Sequence, residues 1–300
     1  MTNTLRIGTR ASVLATTQSR MVADEIAAKL GREVELVEIT TEGDVNLAPL
    51  ASMGGVGVFV SALRDALLRG EIDVAVHSLK DLPTYAQEGI VLAAIPLRED
   101  PRDVVVARDG LTLGELPDGS RVGTGSIRRA AQLHALGLGL EVVDIRGNVD
   151  TRIRKVAEGE YDAVILARAG LARLGRLDEV TEVLDPIQML PAPGQGALAV
   201  ECRPDLADDL AVLDDPFTRA QVTAERAVLA TLEAGCSAPV GALAEIGEGD
   251  DGEELWIRAV VLSSDGGLAV RKSLSGKPAD AEAIGRQLAT EMLEDGADQL

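Results

Sequence analysis

Residues 59–78 read FVSALRDALLRGEIDVAVHS and carry the pattern that decides the fold class. The first twelve residues, FVSALRDALLRG, are predicted to form a helix, and Gly70 is the residue type that most often ends one. IDVAVHS, residues 72–78, is short and rich in β-branched side chains, which is typical of a buried strand. The stretch therefore predicts a helix that leads directly into a buried strand.

The same alternation continues on both sides of this stretch. Ser12 is predicted to cap a helix, and two more helices are predicted to begin near Ser126 and Val149. Strands alternating with helices indicate α/β layers with mostly parallel sheets. Further strands are predicted at residues 5–10, 34–40, 90–95, 140–145 and 161–167.

The order of elements changes after Pro216. A long helix is predicted first, followed by strands at residues 255–264 and 268–276 and a C-terminal helix from Ala279. This order indicates a small α+β module. A chain of 300 residues exceeds one ordinary hydrophobic core, so two or three domains are expected.

Composition narrows the class of protein. The formal net charge of -20 argues against nucleic acid or an anionic membrane as the main partner. The sequence shows neither a signal peptide nor an apolar run of the roughly 18 residues that a membrane span requires, so a cytoplasmic protein is expected. With Cys202 and Cys236 as the two cysteines, no structural disulfide and no metal site are expected.

Positive charge is concentrated between Arg121 and Arg176. This window has ten cations, nine of them arginine, against six acids. The planar guanidinium suits carboxylates and phosphates, so the window as a whole indicates anion binding, although any single arginine there is more simply explained as part of a solvated helix face. Within it, VGTGSIRR, residues 122–129, places glycines and hydroxyls before a helix N-terminus, where backbone N–H groups favour an anion.

Two further stretches contain candidate reactive groups. HSLKDLP, residues 77–83, follows a strand at the end where α/β sheets place ligands; its Asp81 is a candidate to orient a cationic or N–H-bearing substrate, or alternatively pairs with Lys80 or caps the turn. EAGCSAPVGAL, residues 233–243, sets Cys236 in a turn, where either a free surface thiol or a nucleophile is plausible. Cys202 lies in a predicted strand and is expected to be a small core residue.

Taken together, eight segments resemble the porphobilinogen deaminase (hydroxymethylbilane synthase) family, in the family's order and nearly from end to end. HSLKDLP, RGNVDTR and GCSAPVG are the specific signals among them. The segments are GTRASVLATTQ (8–18), GGVGVFVSAL (54–63), AVHSLKDLP (75–83), VGTGSIRRAAQL (122–133), DIRGNVDTR (144–152), AGLARLG (169–175), PAPGQGALAVECR (191–203) and EAGCSAPVG (233–241).

The resemblance implies an architecture of two α/β lobes like those of solute-binding proteins, followed by a small α+β domain. Residues 1–98 with 199–216 would form domain 1, residues 99–198 the arginine-rich domain 2, and residues 217–300 domain 3. This sequence departs from the family's pattern at Val56, where a lysine is common, and at Val13, where a proline is common.

The resemblance also implies an activity. Members are transferases of tetrapyrrole and haem biosynthesis, which act as cytoplasmic monomers. They join four porphobilinogen molecules head to tail, with loss of ammonia, into hydroxymethylbilane on a covalently bound dipyrromethane primer. The implied roles are a thioether from Cys236 to dipyrromethane, catalysis by Asp81, cofactor binding by Lys80, Thr124, Ser126, Arg128, Arg129 and Arg146, and substrate binding by Arg10, Ser12, Arg152 and Arg173.

Two other classes compete with this interpretation. A non-catalytic, two-lobed anion-binding protein explains the arginines and the α/β pattern, but it predicts neither HSLKDLP nor a cysteine in a third domain. A cysteine hydrolase needs a histidine partner, and the chain has His77 and His134 alone. His77 ends a predicted strand, so a buried hydrogen-bonding role is expected for it.

Overall fold

The structure, a computed structural model, describes residues 4–39, 58–232, 239–249 and 252–300. Val56, where the family commonly has a lysine, and the predicted turn with Cys236 lie outside the described residues. The helices are α1 (Val13–Leu30), α2 (Val58–Leu68), α3 (Ile127–Leu136), α4 (Val149–Ala157), α5 (Arg168–Arg173), α6 (Ala207–Leu210), α7 (Pro216–Thr231) and α8 (Ala281–Glu294). The strands are β1 (Leu5–Thr9), β2 (Val34–Glu38), β3 (Val74–Ser78), β4 (Val91–Ala94), β5 (Asp103–Ala107), β6 (Arg121–Gly123), β7 (Glu141–Val143), β8 (Ala163–Ala167), β9 (Glu182–Val183), β10 (Leu198–Cys202), β11 (Val240–Gly249), β12 (Gly252–Leu262) and β13 (Ala269–Gly276).

By their internal contacts the described residues fall into two compact units. The first comprises Met1–Glu99 with Ala197–Arg219, and the second comprises Asp100–Gly196 with the described residues from Ala220 onward. The second unit holds both a five-stranded and a three-stranded sheet. The boundaries expected for three separate domains stay a prediction.

The first unit is built on a five-stranded sheet of order β2-β1-β3-β10-β4. β1 runs parallel to β2 and β3, whereas β10 runs antiparallel to β3 and β4. The α1 helix packs its buried Val22 and Ile26 against this sheet. The Ser12 hydroxyl accepts a hydrogen bond from Ala15 N, which confirms the predicted N-cap.

The second unit repeats this order in the sheet β7-β6-β8-β5-β9. Here β6 runs parallel to β7 and β8, and β5 runs antiparallel to β8 and β9. The predicted helices are confirmed: Ser126 caps α3, and Asn148 caps α4, which begins at Val149. The short strand β6 carries Val122 into the core.

The sheets are mixed, so the expectation of mostly parallel sheets is wrong. A helical crossover forces consecutive strands to run parallel. β10 and β5 do not follow such a crossover, because β10 comes after residues 100–196 of the second unit and β5 is the first strand of that unit. The sequence patterns also missed four strands, which are β5, β6, β9 and β11.

Beyond the second five-stranded sheet lies the antiparallel sheet β11-β12-β13, with α7 and α8 packed against it. Its turn after β12 approaches α3: a Cβ on Gly266, whose φ is +71°, would lie 2.5 Å from Ala131 O. Buried side chains continue this contact from Ala131 to Leu243 and Val260. The α8 helix begins at Ala281, two residues later than predicted. No helix among the described residues is both long and apolar enough to cross a membrane.

Candidate active site

Asp81 lies in a single 3-10 turn, Leu79–Asp81, directly after β3. The turn is fixed by Leu79, which is fully buried and whose N donates to Ala197 O over 3.0 Å. Beside it, Gln18 Nε2 of α1 donates to the Ser78 hydroxyl over 3.0 Å. The Asp81 side chain is exposed, and among the residues that the structure describes it has no ion pair. Within the described part of the chain, the Asp81 carboxylate is thus neither buried nor engaged in an ion pair.

Arg10 and Ser12 follow β1, the parallel neighbour of β3. The carboxyl ends of parallel neighbours meet at one edge of a sheet. The structure therefore brings Arg10 and Ser12 to the same sheet edge as Lys80 and Asp81. The backbone at Arg10 is held in place, because its carbonyl oxygen accepts hydrogen bonds from the hydroxyls of Thr9 and Thr16.

Thr124 and Ser126 occupy the corresponding place in the second unit, after β6. Thr124 N donates to Val143 O over 2.9 Å, and the Thr124 hydroxyl accepts from Ser126 N over 3.1 Å. Between them, a Cβ on Gly125 would lie 3.0 Å from Ile145 O, so a glycine lets the two chain segments approach closely. These contacts order the loop that leads into the N-terminus of α3.

Arg128 and Arg129, on the first turn of α3, are almost fully buried, with 4% and 6% exposure. Both guanidinium groups donate to the fully buried Asp103 of β5. Arg128 Nη2 lies 2.8 Å from one carboxylate oxygen and Arg129 Nη2 lies 2.7 Å from the other. Gln195 Nε2 donates to the same carboxylate over 2.8 Å. We call Asp103, Arg128, Arg129 and Gln195 the Asp103 cluster.

The Asp103 cluster has two positive charges and one negative charge. Burial by itself raises the pKa of Asp103, but Arg128 and Arg129 hold it well below its usual range, so the carboxyl is ionised. Burial lowers the pKa of Arg128, and Arg129 lowers it further, while Asp103 raises it. Because an unbalanced buried charge is costly, a cluster of this kind favours an additional anion.

Arg146 and Arg152 extend this positive region. Burial lowers the pKa of Arg152, and the nearby charges of Arg129 and Arg146 lower it further, against the opposing effect of Asp144. Arg152 Nε donates to Gly147 O over 2.8 Å, which holds the side chain near the start of α4. Arg146 is half-exposed and pairs with Asp144 at 3.3 Å.

Arg173 ends the short helix α5, and its Nη2 donates to Gly196 O over 2.6 Å. Gly196 is the last residue of the second unit before the chain returns to the first unit at Ala197. Arg129 thus lies within electrostatic reach of both Arg128 and Arg152, and Arg146 lies within electrostatic reach of Arg152.

A second buried ionic cluster lies in the first unit. Arg64 of α2 donates two hydrogen bonds to Glu201 of β10, over 3.0 and 2.7 Å, and His77 Nε2 lies 3.2 Å from Glu201. All three side chains are buried, which confirms the buried role expected for His77. We call these residues the Glu201 cluster. Burial raises the pKa of Glu201, but the hydrogen bonds from His77 and Arg64 lower it to about 2.

The two cysteines differ in what the structure shows of them. Cys202, at the end of β10, is fully buried in the apolar core of the first unit, as predicted. Burial raises the pKa of its thiol to about 11, so this cysteine is a poor nucleophile. Cys236 lies outside the described residues.

Sequence reasoning missed Asp103, Gln195 and Glu201. Asp103 and Glu201 each sit in a run of apolar residues, DVVVA and LAVEC. A lone carboxylate in a buried strand is rarely left without a partner. That signal was available, although it does not identify which arginine is the partner.

Comparison with known proteins identifies relatives over almost the whole chain. The family model described as porphobilinogen deaminase, dipyromethane cofactor binding domain, matches residues 5–211. The model for the porphobilinogen deaminase C-terminal domain matches residues 219–294. The porphobilinogen deaminase of Mycobacterium bovis is 60% identical, covering 99% of this chain and 98% of its own. Porphobilinogen deaminase 1 of Streptomyces coelicolor is also 60% identical, covering 98% of this chain and 96% of its own.

Solved structures of solute-binding proteins resemble the chain more distantly. A periplasmic substrate-binding protein of an ABC transporter from Coxiella burnetii has a TM-score of 0.44 and 14% identity, covering 70% of this chain and 89% of its own. The aliphatic sulphonate binding protein of Escherichia coli has a TM-score of 0.39 and 17% identity, covering 77% and 70%.

Proposed function

The chain belongs to the porphobilinogen deaminase family, and from this premise we propose how its own residues perform the reaction of that family. The family's enzymes are transferases that join four porphobilinogen molecules, with loss of ammonia, into hydroxymethylbilane on a dipyrromethane primer. We propose that the edge of the second unit around the Asp103 cluster binds pyrrole carboxylates and that Asp81 in the first unit is the catalytic group.

The observation that carries the binding proposal is the excess of positive charge around Arg152. Burial lowers the pKa of Arg152 most, and the charges of Arg129 and Arg146 lower it further, so these two cations repel Arg152 in the protein alone. Every pyrrole of the substrate and of dipyrromethane bears an acetate and a propionate group. A bound carboxylate would relieve the repulsion and form charge-assisted hydrogen bonds, each worth about 1.5–3 kcal/mol. The residues present therefore fit dipyrromethane.

Several side chains would share the binding. Arg146 and Arg152 have guanidinium groups at or near the surface, and Thr124 and Ser126 add hydroxyls at the N-terminus of α3. Arg128 and Arg129 contribute mainly through their buried charge, since part of their donor capacity is taken by Asp103 and backbone oxygens. Similarity to the family assigns further carboxylate contacts to Arg10, Ser12, Lys80 and Arg173.

Asp81 suits a role in charge stabilisation. As ammonia leaves porphobilinogen, positive charge develops on the ring. A carboxylate aimed at the pyrrole N–H stabilises that charge, and a fixed group does so without reorganising during the reaction. The buried Leu79 and its hydrogen bond to Ala197 fix the turn, and the exposed Asp81 side chain remains available to a ligand.

Cys236 is proposed as the covalent attachment point of dipyrromethane by similarity, and Cys202 is unsuitable because it is buried in the core. When bound, dipyrromethane supplies the free α-carbon at which the pyrrole chain is extended. Cys236 holds that group through a thioether, so the primer stays with the protein when the product is released.

We also propose that the protein acts as a cytoplasmic monomer without a nucleic-acid partner, in three domains with the boundaries expected from the family. The net charge of -20 supports the absence of a nucleic-acid partner.

Intact mass tests attachment, and one matched pair of variants tests carboxylate binding. The purified holoenzyme should exceed the mass of the chain by two deaminated porphobilinogen units. Arg152→Met should raise KM for porphobilinogen about 10- to 100-fold, as expected for the loss of one charge-assisted hydrogen bond. Arg154→Met, on the same helix, removes an exposed arginine paired with Glu158 at 3.6 Å and should change KM less than about twofold. A protein that binds porphobilinogen but never carries the added mass would instead be a non-catalytic binding protein.

A further inference from the structure

The segment Leu190–Gln195, sequence LPAPGQ, is clamped to α3 on one side. The buried Gln132 of α3 holds the Leu190 backbone at both polar atoms: Gln132 Oε1 accepts from Leu190 N over 2.7 Å, and Gln132 Nε2 donates to Leu190 O over 3.0 Å. Arg128 Nη1 donates to the same oxygen over 2.6 Å. The segment is thus fixed by the helix that carries Arg128.

On its other side the segment is fixed to α7 and β11. The fully buried carboxylate of Glu225, on α7, accepts from Gly194 N over 2.6 Å through one oxygen and from Ala244 N of β11 over 2.9 Å through the other. Pro191 O accepts a further hydrogen bond from Ala242 N of β11 over 3.0 Å. One carboxylate therefore joins the helix, the strand and the segment.

The elements joined by Glu225 are the two that flank Cys236 in the chain. The α7 helix ends at Thr231 and β11 begins at Val240. Cys236 lies between them in the sequence. All of these contacts lie in the second unit, so they form one continuous set of buried hydrogen bonds from α3 to both flanks of the cysteine.

We propose that Glu225 and Gln132 are positioning residues: they fix the end of α7 and the start of β11, which flank Cys236 in the sequence, relative to the arginines of α3. The inference rests on the proposed function, in which Cys236 carries dipyrromethane and these arginines bind its carboxylates. A thioether fixes one end of the primer, so its carboxylates reach the arginines only if the attachment point is held at the right distance. Buried hydrogen bonds that leave no polar atom unsatisfied provide such a fixed distance.

Glu225→Gln is the most direct test, because the amide has nearly the shape of the carboxylate. The amide offers one accepting oxygen where two backbone N–H groups need acceptors, so either Gly194 N or Ala244 N loses its partner. We expect the folded variant, produced without porphobilinogen and then incubated with it, to gain the dipyrromethane mass about 100-fold more slowly, as for a misplacement of about 1 Å. Glu245→Gln, also on β11, alters an exposed carboxylate paired with Arg258 and should load at the parental rate.

A merely structural role would give a different set of results. Loading is measured well below the unfolding temperature of each variant, and the Glu225→Gln holoenzyme should also show a raised KM for porphobilinogen with kcat less affected. Folded Glu225→Gln that loads and turns over at parental rates would overturn the proposal. Gln132→Met removes both Gln132 hydrogen bonds to Leu190 without changing charge and leaves the one from Arg128. It should slow loading in the same direction, and parental loading by this variant would equally count against the proposal.

Hydrogen exchange on the parental protein gives a measurement that needs no variant. We expect the amides of Leu190, Gly194 and Ala244 to exchange at least about threefold more slowly in the holoenzyme than in the cofactor-free protein, because a primer held at both ends tightens the set of hydrogen bonds. Equal exchange in the two forms would overturn the proposal even if the variants failed to fold. If the parental protein itself gained no mass at Cys236, the proposed function would fail, which is a distinguishable result.

Discussion

The five-stranded sheets of the two units share one strand order, β2-β1-β3-β10-β4 in the first and β7-β6-β8-β5-β9 in the second. In each, the fourth strand enters antiparallel and carries one fully or nearly fully buried carboxylate, Glu201 on β10 and Asp103 on β5. In each, a serine caps the helix that follows the second strand in this order: Ser12 caps α1 after β1, and Ser126 caps α3 after β6. The position of the acid differs, because Glu201 lies opposite Ala75 near the start of β3, whereas Asp103 lies opposite Ala167 at the end of β8.

The charge around the two acids differs. Glu201 meets one arginine, Arg64, together with His77, so its negative charge faces one permanent positive charge. Asp103 meets Arg128 and Arg129, which leaves an excess positive charge. Under the proposed function, this difference separates an anion-binding cluster from a structural ion pair. The second arginine turns a structural ion pair into a cluster that favours an anion.

The largest expected effect concerns the cysteines. Cys236→Ser should lose the covalent cofactor and all turnover, because a serine hydroxyl stays protonated near neutral pH and is a much poorer nucleophile than a thiolate. Cys202→Ser, on the antiparallel strand of the first unit, should keep both, with unfolding free energy lowered by about 1–3 kcal/mol for a buried hydroxyl. Intact mass and product formation measure the two outcomes. Normal turnover by Cys236→Ser would show that Cys236 is not the attachment point of the cofactor.

The second prediction concerns the residues that follow the third strand in each strand order, β3 or β8, because the side chains there differ between the two units. The first unit has Lys80 and Asp81 there, and the second begins α5 with Arg168. Asp81→Asn removes the negative charge and should lower kcat more than about 100-fold, whereas Asp81→Glu restores the charge one methylene further out and should be less impaired. Both variants should retain cofactor that is supplied preassembled. An Asp81→Asn enzyme with parental kcat would show that Asp81 is a surface residue of the turn.

The third prediction alters the charge balance itself. Arg129→Met leaves Arg128 paired with Asp103, so the Asp103 cluster then has one arginine, as the Glu201 cluster has. Dipyrromethane loading should then fall at least about tenfold, the equivalent of one lost charge-assisted contact.

The matched change in the first unit is Arg64→Met. It leaves Glu201 buried without its arginine and should lower the unfolding free energy by about 3–5 kcal/mol. Cofactor loading of the folded fraction should stay parental. If Arg129→Met and Arg64→Met lost cofactor loading equally, at equal folded fraction, the proposed difference between the Asp103 cluster and the Glu201 cluster would be wrong.

The smallest expected effect is a pH dependence of stability in the first unit. Glu201 has a pKa of about 2 in the folded protein against an ordinary value of 4.5. A lowered carboxyl pKa stabilises the folded state fully above the unfolded pKa, and this stabilisation is lost as pH falls toward the folded pKa. On the order of 3 kcal/mol should therefore disappear between about pH 4.5 and pH 2. Urea unfolding at about pH 5 and about pH 3 should show a smaller decrease in Glu201→Gln than in the parental protein, and an unchanged decrease would exclude this linkage.

The sequence predicts the parts of the fold that depend on local signals. The N-caps Ser12 and Ser126, the strand that ends at Ser78 and the buried Cys202 all follow from residue type and periodicity within a few positions. The direction of β10 does not, because no local pattern records whether a strand enters its sheet through a helical crossover.

The candidate site is predictable to a similar extent. The family resemblance identifies Arg128 and Arg129, but their burial and their shared partner depend on Asp103, which is 25 residues away from Arg128 in the chain. The same holds for Glu225, whose contacts with Gly194 and Ala244 span 31 and 19 residues. Periodicity identifies which residues are buried, whereas partners across such separations follow only from the folded chain.

Gly266 has a consequence for protein engineering. The turn between β12 and β13 has the exposed sequence SSDGG and would be an obvious place to insert a tag or a fluorescent domain. The missing side chain at Gly266 lets that turn touch the backbone of α3, where even a methyl group would lie 2.5 Å from Ala131 O. An insertion there would push against the helix that carries Arg128 and Arg129. Gly252, the first residue of β12, lacks this constraint, since among the described residues nothing lies within 4 Å of a Cβ placed on it.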